Sequence, residues 1–239
     1  WELEVCTMLG AVLNVIRGHS DPETGKVQSR ARSLIEHLDD PAAQLQTLFS
    51  LWTFSTSAAK LEESARLVSR MLGLIAGTKN DELALMAHCA RARTCFLRGE
   101  FAESADSVRQ VLALYDPLRH SDRPKSYGED EPGVISQGVD GWRLWLQGYP
   151  AQAATRVREA YELAERLDTP WGRAFAWAWL LLLLQLRGDT EELRRRADDL
   201  HRLSAEHGFS IWVAWATFFK GWVAGSRASE VDGITLMKR

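Results

Sequence analysis

The stretch GHSDPETGKV (Gly18–Val27) carries two glycines and a lysine, residue types that can cradle a phosphate. A phosphate loop needs four residues between its glycines and a Ser or Thr after the lysine, so that backbone N–H groups and a hydroxyl converge on the anion. Here six residues separate Gly18 from Gly25, Val27 follows Lys26, and no strand pattern precedes them. The same residues suit a helix start, with Asp21 or Ser20 as the cap and Pro22 in the first turn.

Other candidate chemistry fares no better. The six histidines (His19, His37, His88, His120, His201 and His207) include no His-x-x-x-His pair that would set two ligands on one helical face. His88 and Cys89 are adjacent and point to different faces, and Cys95 lies six residues on. No G-x-S-x-G nucleophile turn is present. The chain is therefore read as non-catalytic, with no metal and no cofactor. Cys6, Cys89 and Cys95 are odd in number and sit among apolar residues, which suits buried thiols in a reduced, cytoplasmic setting rather than a disulfide framework.

The elements that position these residues are helices. Apolar residues recur at i, i+3, i+4 and i+7 along most of the 239 residues, with short turns between. FLRGEFAESADSVRQVLALYD (Phe96–Asp116), WLQGYPAQAATRVREAYELAERLDTP (Trp145–Pro170) and QLRGDTEELRRRADDLHRLSAEHG (Gln185–Gly208) share one layout, a helix end, a Gly turn and a second amphipathic helix. Aligning the turn residues Gly18, Ala59, Gly99, Gly148, Gly188 and Ala228 gives intervals of 41, 40, 49, 40 and 40. The long interval contains the polar insertion Asp116–Gly133. The repeats run over approximately 1–40, 41–77, 78–116, 133–168, 169–207 and 208–239. A single hairpin cannot bury its apolar face, so stacking supplies the core. Small residues such as Ala102, Ala105, Ala153 and Ala160 suit close approach of the second helices.

Bulk properties narrow the class. A net charge of −3 lacks the basic excess of a nucleic-acid surface. The longest apolar run, Ala174–Leu184, has 11 residues, whereas a spanning helix needs about 20. It reads as a buried helix, not a membrane anchor. Residues 1–10 carry acids where a signal peptide is basic, and a start at Trp1 suggests a piece of a longer chain.

Two resemblances rest on these residues. Gly99-Glu-Phe101, with Ala102 through Leu112, is similar to the tetratricopeptide pattern, although the period is about 40 where that repeat has about 34. In order along the chain, RGEFAESADSVRQVLALYDPLRH (Arg98–His120), YGEDEPGV (Tyr127–Val134), LWLQGYPAQA (Leu144–Ala153) and EHGFSIWVAWATFFKGW (Glu206–Trp222) together resemble the C-terminal tetratricopeptide region of large bacterial signalling proteins. Those proteins join a class III nucleotidyl cyclase domain, an ATPase domain and this helical region. Relative to the family's Y-G-x-D-P-G, one extra residue, Glu131, is present. The resemblance implies an all-α, right-handed superhelical array of five to six hairpins. It also implies a role in passing binding to cyclase and ATPase domains that lie outside these 239 residues.

In such arrays the first helix of each repeat lines the concave surface. Counting back from each turn assigns Met86, Arg93 and Phe96 to it, then Trp142 and Trp145, then Phe175, Leu182 and Gln185, then Trp215, Phe218 and Trp222. An aromatic groove with the single charge Arg93 suits a hydrophobic peptide or an apolar small effector, and these aromatics equally suit inter-repeat core. In the insertion, Arg119, His120 and Tyr127 are candidate anion contacts, offset by Glu129, Asp130 and Glu131. A competing reading is a structural scaffold without a groove, forming a homodimer through its apolar end or making intramolecular domain contacts.

Overall fold

The computed structural model describes residues 2–17, 21–35, 40–117, 131–227 and 230–238. Among these residues every regular element is a helix, and there are twelve. They are α1 (Glu2–Arg17), α2 (Pro22–Ile35), α3 (Pro41–Ser57), α4 (Leu61–Ile75), α5 (Asp81–Leu97) and α6 (Phe101–Leu114). The second half holds α7 (Pro132–Leu146), α8 (Pro150–Leu167), α9 (Pro170–Arg187), α10 (Thr190–His207), α11 (Ser210–Arg227) and α12 (Glu230–Met237).

Local chemistry sets the boundaries. Proline opens α2, α3, α7, α8 and α9, where its missing N–H has no helical partner to lose. The Asp40 side chain accepts from the Ala42 N–H, and Asn80 accepts from Glu82 and Leu83. Asp21 accepts from Glu23 and Thr24, so Gly18–Val27 contains a capped helix start; Gly18, His19 and Ser20 lie outside the described residues. The hairpin turns use left-handed backbone at Ala59 (φ 56°), Gly99 (79°), Gly148 (84°) and Gly188 (75°). Glycine adopts that region without strain, and alanine does not.

Consecutive helices pack as antiparallel pairs, and the pairs stack through their odd-numbered members. α1 touches α3, α3 touches α5, and the series continues through α7 and α9 to α11. Even-numbered helices pack chiefly on their chain neighbours, so they form the second layer. The series also closes, because α1 touches α11. The sequence predicts a stack with a cut end; the structure brings its first and last odd helices together.

Two core clusters fill the interior. One gathers Ile35, Leu45, Phe49, Trp52, Met71 and Met86 from α2 to α5. The other runs from Leu85 and Cys89 through Ile135, Phe175 and Leu181 to Phe219. Much of α9, the greasiest stretch of sequence, lies in this second cluster, with Ala174, Phe175, Trp177, Leu181, Leu183 and Leu184 all buried. Among the described residues no helix is long and apolar enough to cross a membrane. The charged face of α10 is solvated and internally paired, with Arg194 on Glu191 and Arg202 on Asp199.

Candidate functional site

Repeat position decides where each sequence-predicted residue lies. Thirteen residues before the turn stand Met86, Ile135, Phe175 and Trp215. The first three are 0%, 1% and 5% exposed, whereas Trp215 is 36% exposed. Ten residues before the turn, Cys89 and Ala178 are 1% and 2% exposed, whereas Phe218 is 42% exposed. These positions form the junction with the following odd helix: the Phe175 and Trp171 rings pack on Trp212 at 5.6 and 5.5 Å between centroids. Met86 and Phe175 are therefore stacking residues of the interior, while Trp215 and Phe218 sit on the same kind of surface left uncovered.

A second position behaves differently. Six residues before the turn, Thr53, Arg93, Trp142, Leu182 and Trp222 are all half-buried. They come from α3, α5, α7, α9 and α11, so one partly solvated row crosses the stacked odd helices. Aromatic contacts bind its middle. The Trp142 ring meets Phe96 at 6.2 Å and Trp179 at 4.5 Å, both edge-on, and the Trp142 Nε1–H donates to the Trp179 carbonyl at 3.2 Å. The Arg93 guanidinium lies 5.8 Å from the Trp52 ring centroid. Edge-to-face packing of this kind fixes ring orientation, with about 0.5–1.5 kcal/mol per pair beyond area burial. Trp145 and Gln185 flank the row half-buried, and Phe96 is buried beneath it. The row keeps an edge open to solvent and a rigid aromatic floor.

The insertion candidates Arg119, His120 and Tyr127 lie outside the described residues. None of the three cysteines is in a disulfide among the described residues; Cys89 and Cys95 are buried and Cys6 is half-buried. Burial pushes the Cys95 thiol up to about 11, helped by the Glu100 carboxylate, which makes it a poor nucleophile. Burial, with Arg91 nearby, holds His88 below its ordinary range. Among the described residues no group of three or more His, Cys, Asp or Glu is placed to hold a metal ion.

One constellation escaped the sequence reading. Asp140 on α7 is buried, and both its carboxylate oxygens accept from arginine. Arg143 Nη2 lies 2.6 Å from Oδ1, and Arg156 Nε, on α8, lies 2.9 Å from Oδ2. This is a charge staple across one hairpin. Asp140 and Arg143 stand i, i+3, and that spacing was its only local sign.

A comparison with models of known families finds no match, and neither does a comparison with curated proteins.

Proposed function

We propose that this chain is a non-catalytic helical-repeat interaction module. It binds a hydrophobic peptide or an apolar small effector along the row Arg93, Trp142, Leu182 and Trp222. The observation that carries the reading is the row itself: one repeat position stays half-exposed in five successive odd helices, while the residue just before it is buried each time. Solenoid arrays present repeated positions of their inner helices in this way. The aromatic edges, with the Arg93 guanidinium laid against Trp52, favour an apolar ligand.

The finer reading is a right-handed, tetratricopeptide-like superhelix acting as the sensory region of a cytoplasmic bacterial signalling protein. There it would report binding to cyclase and ATPase domains of the same polypeptide. Its support is the order of the quoted motifs and the hairpin layout. Coupling of that kind requires the ligand to favour one of two domain arrangements.

Tryptophan fluorescence and calorimetry during titration with apolar helical peptides, against charged peptides of equal length, test the reading. Saturable binding of the apolar set, weakened at least tenfold by Trp142→Ala and by Arg93→Ala at unchanged secondary structure, is the expected result. Binding indifferent to both substitutions, or no binding by any apolar peptide, overturns it.

A further inference from the structure

The middle of the row is held by a residue that stands outside it. Trp179 is half-buried on α9, nine residues before its turn, where the other odd helices from α3 to α11 carry Ser50, Ala90, Val139 and Phe219. Its ring lies 4.5 Å from the Trp142 ring at 65°. Its backbone carbonyl accepts the Trp142 Nε1–H at 3.2 Å. A helical carbonyl keeps a second lone pair beyond the one its own helix uses, so this bond forms without opening α9. Ring and backbone together therefore fix the pose of Trp142.

α7 leaves the space that this needs. Gly138 is buried, and a Cβ on it would stand 3.2, 3.3 and 3.5 Å from Cγ, Cδ2 and Cδ1 of Trp179. The first two are closer than the optimal carbon contact of about 3.5–4.0 Å. Trp179 also packs on Phe175 at 5.6 Å between centroids. A ring pushed off Gly138 would press on Phe175 or on Trp142. Gly138 and Trp142 stand i, i+4, so one side of α7 both receives the Trp179 ring and is held by it.

The same contacts set what the row offers a ligand. The Trp142 N–H is spent on the Trp179 carbonyl, and the Thr53 hydroxyl donates to the Phe49 carbonyl at 3.0 Å. Leu182 has no polar side-chain atom. At these three places the row presents ring, methyl and alkyl surface, with no donor left for a ligand's carbonyl. A ligand acceptor buried there would lose its water and gain no partner.

We infer that Trp179, seated against Gly138, is a positioning residue for Trp142. Together they make the centre of the row selective for a hydrocarbon group over one that carries a hydrogen-bond acceptor. The selectivity rests on the row being the binding surface; the positioning does not.

Circular dichroism reads the positioning without a ligand. Two indoles this close couple, so Trp142→Phe and Trp179→Phe should each remove the same far-ultraviolet couplet. Gly138→Ala should diminish that couplet at unchanged helix content. Calorimetry with an apolar helical peptide reads the consequence. Trp179→Ala should raise the dissociation constant at least about fivefold, but less than about twofold when Trp142 is already alanine, because a residue acting through another loses its effect with it. The peptide leucine whose loss matters least to Trp142→Ala marks the contact with Trp142. Its change to near-isosteric asparagine should weaken binding to the unaltered chain about tenfold or more. Difference spectra without a shared couplet overturn the positioning, and so does a Trp179→Ala penalty that is absent or equally large without Trp142. Asparagine accepted as well as leucine overturns the selectivity. If no apolar peptide binds, the interaction module is refuted and the selectivity with it, while the couplet still decides the positioning.

Discussion

Two glycines on different hairpins should respond to the same substitution with opposite signs. Gly141 faces α8 so closely that a Cβ there would stand 2.5 Å from Val157 Cγ2 and 3.3 Å from the Ala153 carbonyl oxygen. Optimal carbon contacts are about 3.5–4.0 Å, so the overlap is about 1 Å. Val157 is buried, and a β-branched side chain in a helix has essentially one rotamer, so relief requires the helices to separate. Overpacking of this kind costs about 1–3 kcal/mol. Against that, alanine gains about 0.8–1 kcal/mol of helix propensity over glycine. Gly141→Ala is therefore expected to destabilise by up to about 2 kcal/mol, the cost of separating the helices outweighing the propensity gain. Gly73 on α4 would have nothing within 4 Å of an added Cβ, so Gly73→Ala keeps the propensity gain and stabilises by about 0.5–1 kcal/mol. At about 2–4 °C per kcal/mol for a domain of this size, the two variants should differ in Tm by up to about 12 °C. Thermal and urea denaturation supply the numbers. Adding Val157→Ala to Gly141→Ala should recover at least about 1 kcal/mol relative to the sum of the single changes. Two shifts of the same sign, or strict additivity with Val157, would refute the close approach of α7 and α8.

Further outcomes follow from other contacts. Asp140→Ala removes the carboxylate shared by Arg143 and Arg156, which keep Gln147 and Glu159 as partners, and should cost about 1–3 kcal/mol, measured by urea unfolding. Trp52→Phe keeps an aromatic ring but orphans Thr94 Oγ1, which accepts from Trp52 Nε1 at 2.8 Å in the core; a loss of about 1–3 kcal/mol is expected in the same assay. Ala59→Gly relieves left-handed backbone at φ 56° and should raise stability by about 1 kcal/mol. With iodoacetamide at pH 8, mass spectrometry should find Cys6 modified first. Cys95, whose thiol is pushed up to about 11, should react only on unfolding.

The helices were legible in the sequence because their period is written in single residues. Pro41, Pro150 and Pro170 mark starts, and Ala59, Gly99, Gly148 and Gly188 mark turns that all prove left-handed. Periodicity also tells which side of a helix is apolar. It does not tell which neighbour covers that side, and this limited the reading of the aromatics. Met86 and Phe175 carry the same pattern as Trp215, yet only the last has no following odd helix over it among the described residues. Trp142, Leu182 and Trp222 separate from them only when burial is compared position by position. The Asp140 staple was hidden because Arg156 reaches it across a hairpin, sixteen residues away.

The contact between α1 and α11 changes how such an array comes apart. In a linear stack each terminal hairpin is held by one neighbour, and unfolding peels inward at the loss of one junction. Here the boundary is cyclic. Peeling either terminal hairpin breaks the α1–α11 contact as well as its own stacking junction, so the fraying of the two ends is coupled. Amide protection in α1 and α11 should rise and fall together, as a single foldon built from helices at opposite ends of the sequence.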